Sequence, residues 1–159
     1  MKVLYGLDDV REVNLLRAHR FIEFLQRQWY EVYWAPYILA KDREAFLQQE
    51  SNILQKLTFA EKRQVFVNWA DLADLFVIDV TKDSEDLAMI MQRGLDKPFK
   101  GLKITPIILI RDASEERHYG NMLKGVVEGK QAVYFEYNTI DNVMENWDVL
   151  LNKALKLNS

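Results

Sequence analysis

Four residues, Asp79, Asp86, Gln92 and Asn121, carry most of the chemistry available to this chain. Asp79 interrupts an otherwise apolar run, Leu75 to Val80. A buried acid there costs several kcal/mol unless it is paired or bound to something. The backbone or the Thr81 hydroxyl can satisfy it, or it faces a ligand. Asp83, Glu85 and Asp86 follow where a helix opens, and carboxylates there complement the positive end of the helix dipole. A short acceptor at a strand exit, as Asp86 is, also suits contact with a hydroxyl. Gln92 is a neutral amide: it can donate and accept hydrogen bonds but brings no negative charge to an attack on carbon. Asn121 follows Gly120 and either caps a local turn or reaches a bound molecule.

Composition removes several classes of function. The chain has 159 residues and no cysteine, which excludes disulfides, thiol catalysis and zinc sites built on Cys. His19 and His118 are too scattered for a His-rich metal site, so neither a metal nor another cofactor is expected. With 21 Lys plus Arg against 24 Asp plus Glu the net charge is -3, the wrong sign for a nucleic-acid binder. The start, Met1 to Asp9, reaches two acids before any apolar run long enough for a signal peptide. The apolar run Ile107 to Ile110 is far short of the ~20 residues needed to cross a bilayer. A cytoplasmic protein with no membrane partner is therefore expected. No repeat, low-complexity stretch or Gly/Pro/Ser-rich linker breaks residues 1–159, which read as a single domain.

The elements that position these residues alternate in type. Lys2 to Gly6 is β-rich, and the following helix carries Leu15, Ala18, Ile22 and Leu25 on one stripe. Tyr30 to Trp34 is the next strand, stopped at Ala35-Pro36. Lys41 to Leu57 has a weaker helical pattern. Thr58-Phe59-Ala60-Glu61 reads as a capping box and starts a helix with Phe66, Trp69, Ala70 and Ala73 along one face. Leu75 to Ile78 and Ile107 to Ile110 are continuous apolar runs, as in strands covered on both faces. Asp96 to Lys103 reads as a loop, Ser114 to Lys124 as a short helix, Ala132 to Phe135 as a strand, and Asn142 to Leu157 as one closing helix. The alternation predicts an α/β fold, a three-layer α/β/α sandwich around a five-stranded parallel sheet, flavodoxin-like in class. Ligands of such sheets bind beyond the carboxyl ends of the strands. That directs attention to Gly6 to Asp9, Pro36 onward, Asp79 to Asp86, and Arg111 onward.

From Lys2 to about Phe135 the chain resembles the nucleoside 2-deoxyribosyltransferases. Two segments carry the resemblance most sharply. Asp86-Leu87-Ala88-Met89-Ile90-Met91-Gln92-Arg93-Gly94 is similar to a family turn running Asp, any residue, Gly, three residues, Glu, any residue, Gly. Asn121-Met122-Leu123 looks like the family's Asn-Leu-Met, whose Asn enters a neighbouring subunit's site to hold the sugar. More diffuse are Lys2-Val3-Leu4-Tyr5-Gly6, Tyr33-Trp34-Ala35-Pro36 and Trp69-Ala70-Asp71-Leu72-Ala73-Asp74-Leu75-Phe76. The resemblance implies a homo-oligomer that binds a nucleoside or nucleotide. Gln92 would stand where the family's Glu attacks the anomeric carbon, Asp86 would contact the sugar, and Asn121 would come from the neighbouring subunit. Tyr5, Gly6, Asp79 and Ala88 would line the substrate. The chain departs from the pattern at the chemistry: Ala88 replaces a Gly, Gln92 replaces the nucleophile, and Phe66 falls where the family has an Asp that handles the base's proton. It ends Lys156-Leu157-Asn158-Ser159, without the Tyr and terminal carboxylate that close the pocket in some members.

Three readings compete on this sequence. One is a protein that binds a nucleoside or nucleotide and has weak or altered N-glycosidic transfer or hydrolysis, with Asp86 or a nearby acid stabilising a sugar cation. Another keeps the pocket without turnover and sequesters or senses a nucleotide. The third, from a different class, is a flavodoxin-like or receiver-like regulatory interaction domain. No phosphate-cradling glycine turn or acidic trio with a downstream Lys supports the third.

Overall fold

The computed structural model describes residues 1–7, 12–34, 58–82, 85–115 and 121–157. Among these the order is β1 (Lys2–Leu7), α1 (Glu12–Arg27), β2 (Glu31–Trp34), α2 (Phe59–Leu72), β3 (Leu75–Asp79), α3 (Glu85–Leu95), a 3-10 turn (Lys97–Lys100), β4 (Ile107–Asp112), α4 (Asn121–Glu128), β5 (Val133–Tyr137), α5 (Ile140–Glu145) and α6 (Trp147–Leu157). The helical pattern from Lys41 to Leu57 lies outside the described residues.

All five strands join one sheet in the order β2-β1-β3-β4-β5, and every pairing is parallel. This is the flavodoxin-like order, whose direction of winding reverses between β1 and β3. The period-2 alternation of a strand sends its residues to two layers. Val3, Tyr5, Leu7, Val77, Ile108 and Ile110 pack against α1, α5 and α6, where Phe21 and Trp147 meet edge to face at 5.6 Å. Leu4, Phe76, Ile78, Ile107 and Leu109 pack against α2, α3 and α4 through Ala70, Leu87, Ile90, Met91 and Val126. Covering on both faces explains why β3 and β4 read as unbroken apolar runs.

Local chemistry sets the boundaries. The Thr58 and Glu61 side chains exchange hydrogen bonds with each other's backbone N–H, so the capping box forms as expected. Three expectations need correction. The closing helix is two helices, because Asn146 departs from helical geometry and its side-chain amide donates back to the Asn142 carbonyl at 2.8 Å. Val143, Trp147, Leu150 and Ala154 stay buried across the break, so the apolar register alone does not reveal it. The helix expected from Ser114 does not begin there, since Ser114 is held in a turn by Asp112; residues 116–120 lie outside the described residues, and α4 is described from Asn121. Within the expected loop from Asp96 to Lys103, residues Lys97–Lys100 wind into a 3-10 turn closed by Gly101 in left-handed backbone, φ 71°.

Candidate functional site

Where the winding reverses, β1 ends at Leu7 beside Asp79 at the end of β3, and β4 ends at Asp112. Strand alternation sends Asp79, Asp112 and Tyr137 of β5 to the layer under α1, and these three strands deliver polar groups to one floor. Asp79 is 4% exposed. Its Oδ1 accepts from the Thr81 backbone N–H at 3.0 Å and the Thr81 hydroxyl at 2.5 Å, and its Oδ2 accepts from the Tyr137 hydroxyl at 2.8 Å. The Thr81 partnership foreseen from sequence is therefore present. The Thr81 hydroxyl oxygen in turn accepts from the Asp112 backbone N–H at 2.9 Å. Asp112 Oδ1 takes the Ser114 backbone N–H at 2.9 Å and its hydroxyl at 2.6 Å, while Oδ2 pairs with the Arg17 guanidinium.

The two carboxyl groups of this floor are driven in opposite directions. Burial raises the Asp79 pKa above its ordinary value, more than the donors from Thr81 and Tyr137 lower it. Burial also acts upward on Asp112, but the Ser114 donors and the Arg17 cation outweigh it and hold that carboxyl below the ordinary range. Tyr137 and Tyr5 are pushed up by burial and then by the charge of Asp79, so both phenols stay protonated.

Among the described residues, one donor in this floor has no partner. Asn14, on the first turn of α1, is 5% exposed, and its Oδ1 accepts from Arg17 Nη1 at 3.2 Å. That contact fixes which end of the amide is oxygen. Asn14 Nδ2 is then left buried without a hydrogen bond. Buried donors in folded proteins are nearly always satisfied, so Asn14 Nδ2 is free to meet an acceptor, a water or a ligand group alike, beside the reversal of winding. Sequence reasoning did not single out Asn14, Arg17, Asp112 or Tyr137. The only signal for them was the rule that ligands sit beyond the strand ends.

The structure groups the sequence-derived residues into two sets. Tyr5 and Asp79 lie on the α1 side of the sheet, both buried, as part of the floor or in contact with it. Gly6 points to the other side, where a Cβ would come within 3.5 Å of Leu87. Gly6 therefore meets the first turn of α3, which carries Asp86 and the half-buried Ala88. Gln92 is near the far end of that helix. Its amide donates to Asp96 at 2.7 Å, and the next residue, Arg93, is paired with Asp71 at the end of α2. Tyr5 and Asp79 are thus separated from Gln92 by the sheet. Asn121 opens α4. Gly94 has a packing reason of its own, since a Cβ would lie 2.7 Å from the Phe76 ring.

A second polar group lies at the same strand ends on the α3 side. Arg111 is 2% exposed and reaches Glu136 at 3.4 Å as well as the Glu115 carbonyl, and the Tyr134 hydroxyl donates to Glu136 at 2.8 Å. Among the described residues no cluster of His, Cys, Asp or Glu could hold a metal ion.

No family model and no curated protein matches the sequence. Among solved structures the chain is similar to the CMP N-glycosidase BcmB of Clostridium botulinum, with a TM-score of 0.64 over 94% of this chain and 99% of that one. The two are 14% identical, and their likeness establishes a shared α/β fold.

Proposed function

We propose that this chain binds a nucleoside or nucleotide beyond the carboxyl ends of β1 and β3, with weak or altered cleavage of its N-glycosidic bond. The observation that carries the reading is the unpartnered, buried Asn14 amide next to the Asp79–Thr81–Asp112–Arg17 floor. That floor is built where sheets of this winding hold ligands. The structural likeness to a protein named as a CMP N-glycosidase supports the same ligand class.

In this reading Tyr5 and Asp79 shape the floor, Gly6 and Ala88 line the substrate beside α3, Asp86 takes a sugar hydroxyl, and Asn121 is contributed by a second copy of the chain. Turnover is weak because Gln92, placed by resemblance where the family has its attacking carboxylate, is neutral and its amide is engaged by Asp96. Any cleavage then proceeds through a sugar cation stabilised by Asp86.

The test is a panel of deoxynucleosides and deoxynucleotides, followed by calorimetry for binding and by chromatography for released base. Saturable binding with little free base is expected, and Asn14→Ala should weaken it about tenfold, the worth of one buried hydrogen bond. Absence of binding across the panel would refute the proposal.

A further inference from the structure

Of the helical segments that end at the amino edge of the sheet, opposite the floor, three end alike, whereas α2 leaves through extended backbone at Ala73. After α1, Tyr30 N–H bonds the Leu25 carbonyl at 3.2 Å and Trp29 N–H bonds Gln26 at 2.9 Å. After α4, Gln131 N–H bonds Val126 at 3.0 Å and Lys130 N–H bonds Val127 at 3.1 Å. After the 3-10 turn, Leu102 N–H bonds Lys97 and Gly101 N–H bonds Pro98, both at 3.0 Å. This paired closure puts one residue in left-handed backbone, a place that glycine fills without strain. Gly101 conforms, but Trp29 at φ 63° and Lys130 at φ 53° do not.

A bulky side chain in that conformation is strained, and Trp29 recovers nothing by packing, since it is 92% exposed. Phe99 is equally open, at 89%. Its turn is firmly rooted: Lys97 is buried, with its ammonium donating to the Ala73 carbonyl at 2.7 Å and to the Thr105 hydroxyl at 2.6 Å. The same ammonium sits 5.3 Å from the centre of the Phe76 ring. Phe99 is therefore held in solvent by a fixed turn. Lys100 and Lys103 are exposed beside it, and Lys130 is exposed on the α4 closure. Acids at this edge are partly engaged: Asp71 by Arg93, Asp96 by the Gln92 amide and Asp74 by the Lys2 N–H, while Glu31 and Glu128 are exposed.

We propose that the amino edge docks on an anionic lipid surface, with Trp29 and Phe99 entering the headgroup region and Lys100, Lys103 and Lys130 meeting the lipid phosphates. No helix among the described residues is long and apolar enough to cross a membrane, so the contact is peripheral. Lipid is favoured over a protein segment by the arrangement of the rings. Trp29 lies between α1 and β2 and Phe99 on the turn between α3 and β4, so the two rings stand on separate connections that lead from helices on opposite faces of the sheet. Two separate protruding tips form no groove for a peptide, whereas a fluid interface accepts each tip independently, and Trp is favoured at that depth. Lysines near such an interface add attraction to anionic headgroups.

Sedimentation with vesicles of phosphatidylglycerol and phosphatidylcholine tests the proposal, alongside vesicles of phosphatidylcholine alone. The protein should sediment only with the anionic vesicles and less as salt is raised. Trp29→Gly relieves the backbone strain, so it should raise Tm while lowering vesicle binding about tenfold or more. Phe99→Ser should lower binding similarly with Tm unchanged. A misfolded variant cannot imitate a stabilised one that binds less. The proposal is overturned if the wild type ignores anionic vesicles, if it binds neutral ones equally, or if both variants bind like the wild type. It is also overturned if light scattering shows an oligomer that Trp29→Gly dissociates without any vesicle binding, which would assign the face to a second copy.

Discussion

A methyl group at position 94 would lie 2.7 Å from the Phe76 ring, so Gly94→Ala must force that ring from its place between α3 and β3. The expected loss is about 1–3 kcal/mol, seen as a lower denaturant midpoint at constant m-value. Asp79 and Asp112 should give opposite pH signatures. The folded-state pKa of Asp79 is raised by burial, so its contribution is present below the unfolded value of 3.8 and is lost as pH rises through the raised folded value. The folded-state pKa of Asp112 is lowered, so its contribution is present above the unfolded value and is lost as pH falls through the folded one. Urea melts across this range should show Asp79→Asn gaining on the wild type as pH rises, and Asp112→Asn removing part of the acid-side loss. Parallel curves for Asp79→Asn and the wild type would contradict the assignment. Gln92→Glu is nearly isosteric and supplies the missing charge, but it places that charge next to Asp96, and Phe66 still offers no proton-handling group. Chromatography should therefore detect a small gain in released base, with hydrolysis exceeding transfer. Robust transfer by the wild type that survives Gln92→Ala would show that position 92 is not the nucleophile's.

Elements were readable from sequence where the signal is local. The Thr58 and Glu61 side chains need only each other, and Thr58→Ala should lower Tm by removing the donor's partner at the start of α2. The runs Leu75 to Ile78 and Ile107 to Ile110 state their double coverage in their own composition. Other features depend on residues distant in the chain. Asp79 looked anomalous from sequence, and Thr81, two residues away, was nameable as its partner. Tyr137 is 58 positions away and became a partner only when β5 took its place in the sheet. Arg17 meets Asp112 across 95 positions for the same reason. A helix is expected to open at the acids that end in Asp86, and α3 does span Glu85–Leu95. The sequence did not show that Gln92 turns toward Asp96, because that choice depends on where the helix ends and on the Arg93–Asp71 pair next to it.

At the scale of the molecule, the described residues make the two ends of the sheet chemically unlike, with a polar floor at the carboxyl ends and exposed aromatics at the amino ends. Ligand binding and surface docking should therefore be separable, and Trp29→Gly should leave nucleotide affinity unchanged in calorimetry. The proposed use of Asn121 between copies requires an oligomer, and light scattering that reports a monomer at micromolar concentration would remove it. The Thr81 hydroxyl has one more consequence. Beyond the last rung of the β3–β4 ladder, Val80 N–H bonds the Ile110 carbonyl at 2.8 Å and Asp112 N–H bonds Thr81 Oγ1 at 2.9 Å. These two bonds act as a stitch at the open end of a seam, so β3 and β4 cannot begin to unzip there. Amide exchange at Asp112 should then be nearly as slow as at Leu109 in the middle of β4, although Asp112 is the strand's last residue. Thr81→Val should release the Asp112 amide while leaving Leu109 protected. With that seam closed, the floor meets α1 through the Arg17–Asp112 pair, and an entering ligand would be felt first by the helix that carries Asn14 and Arg17.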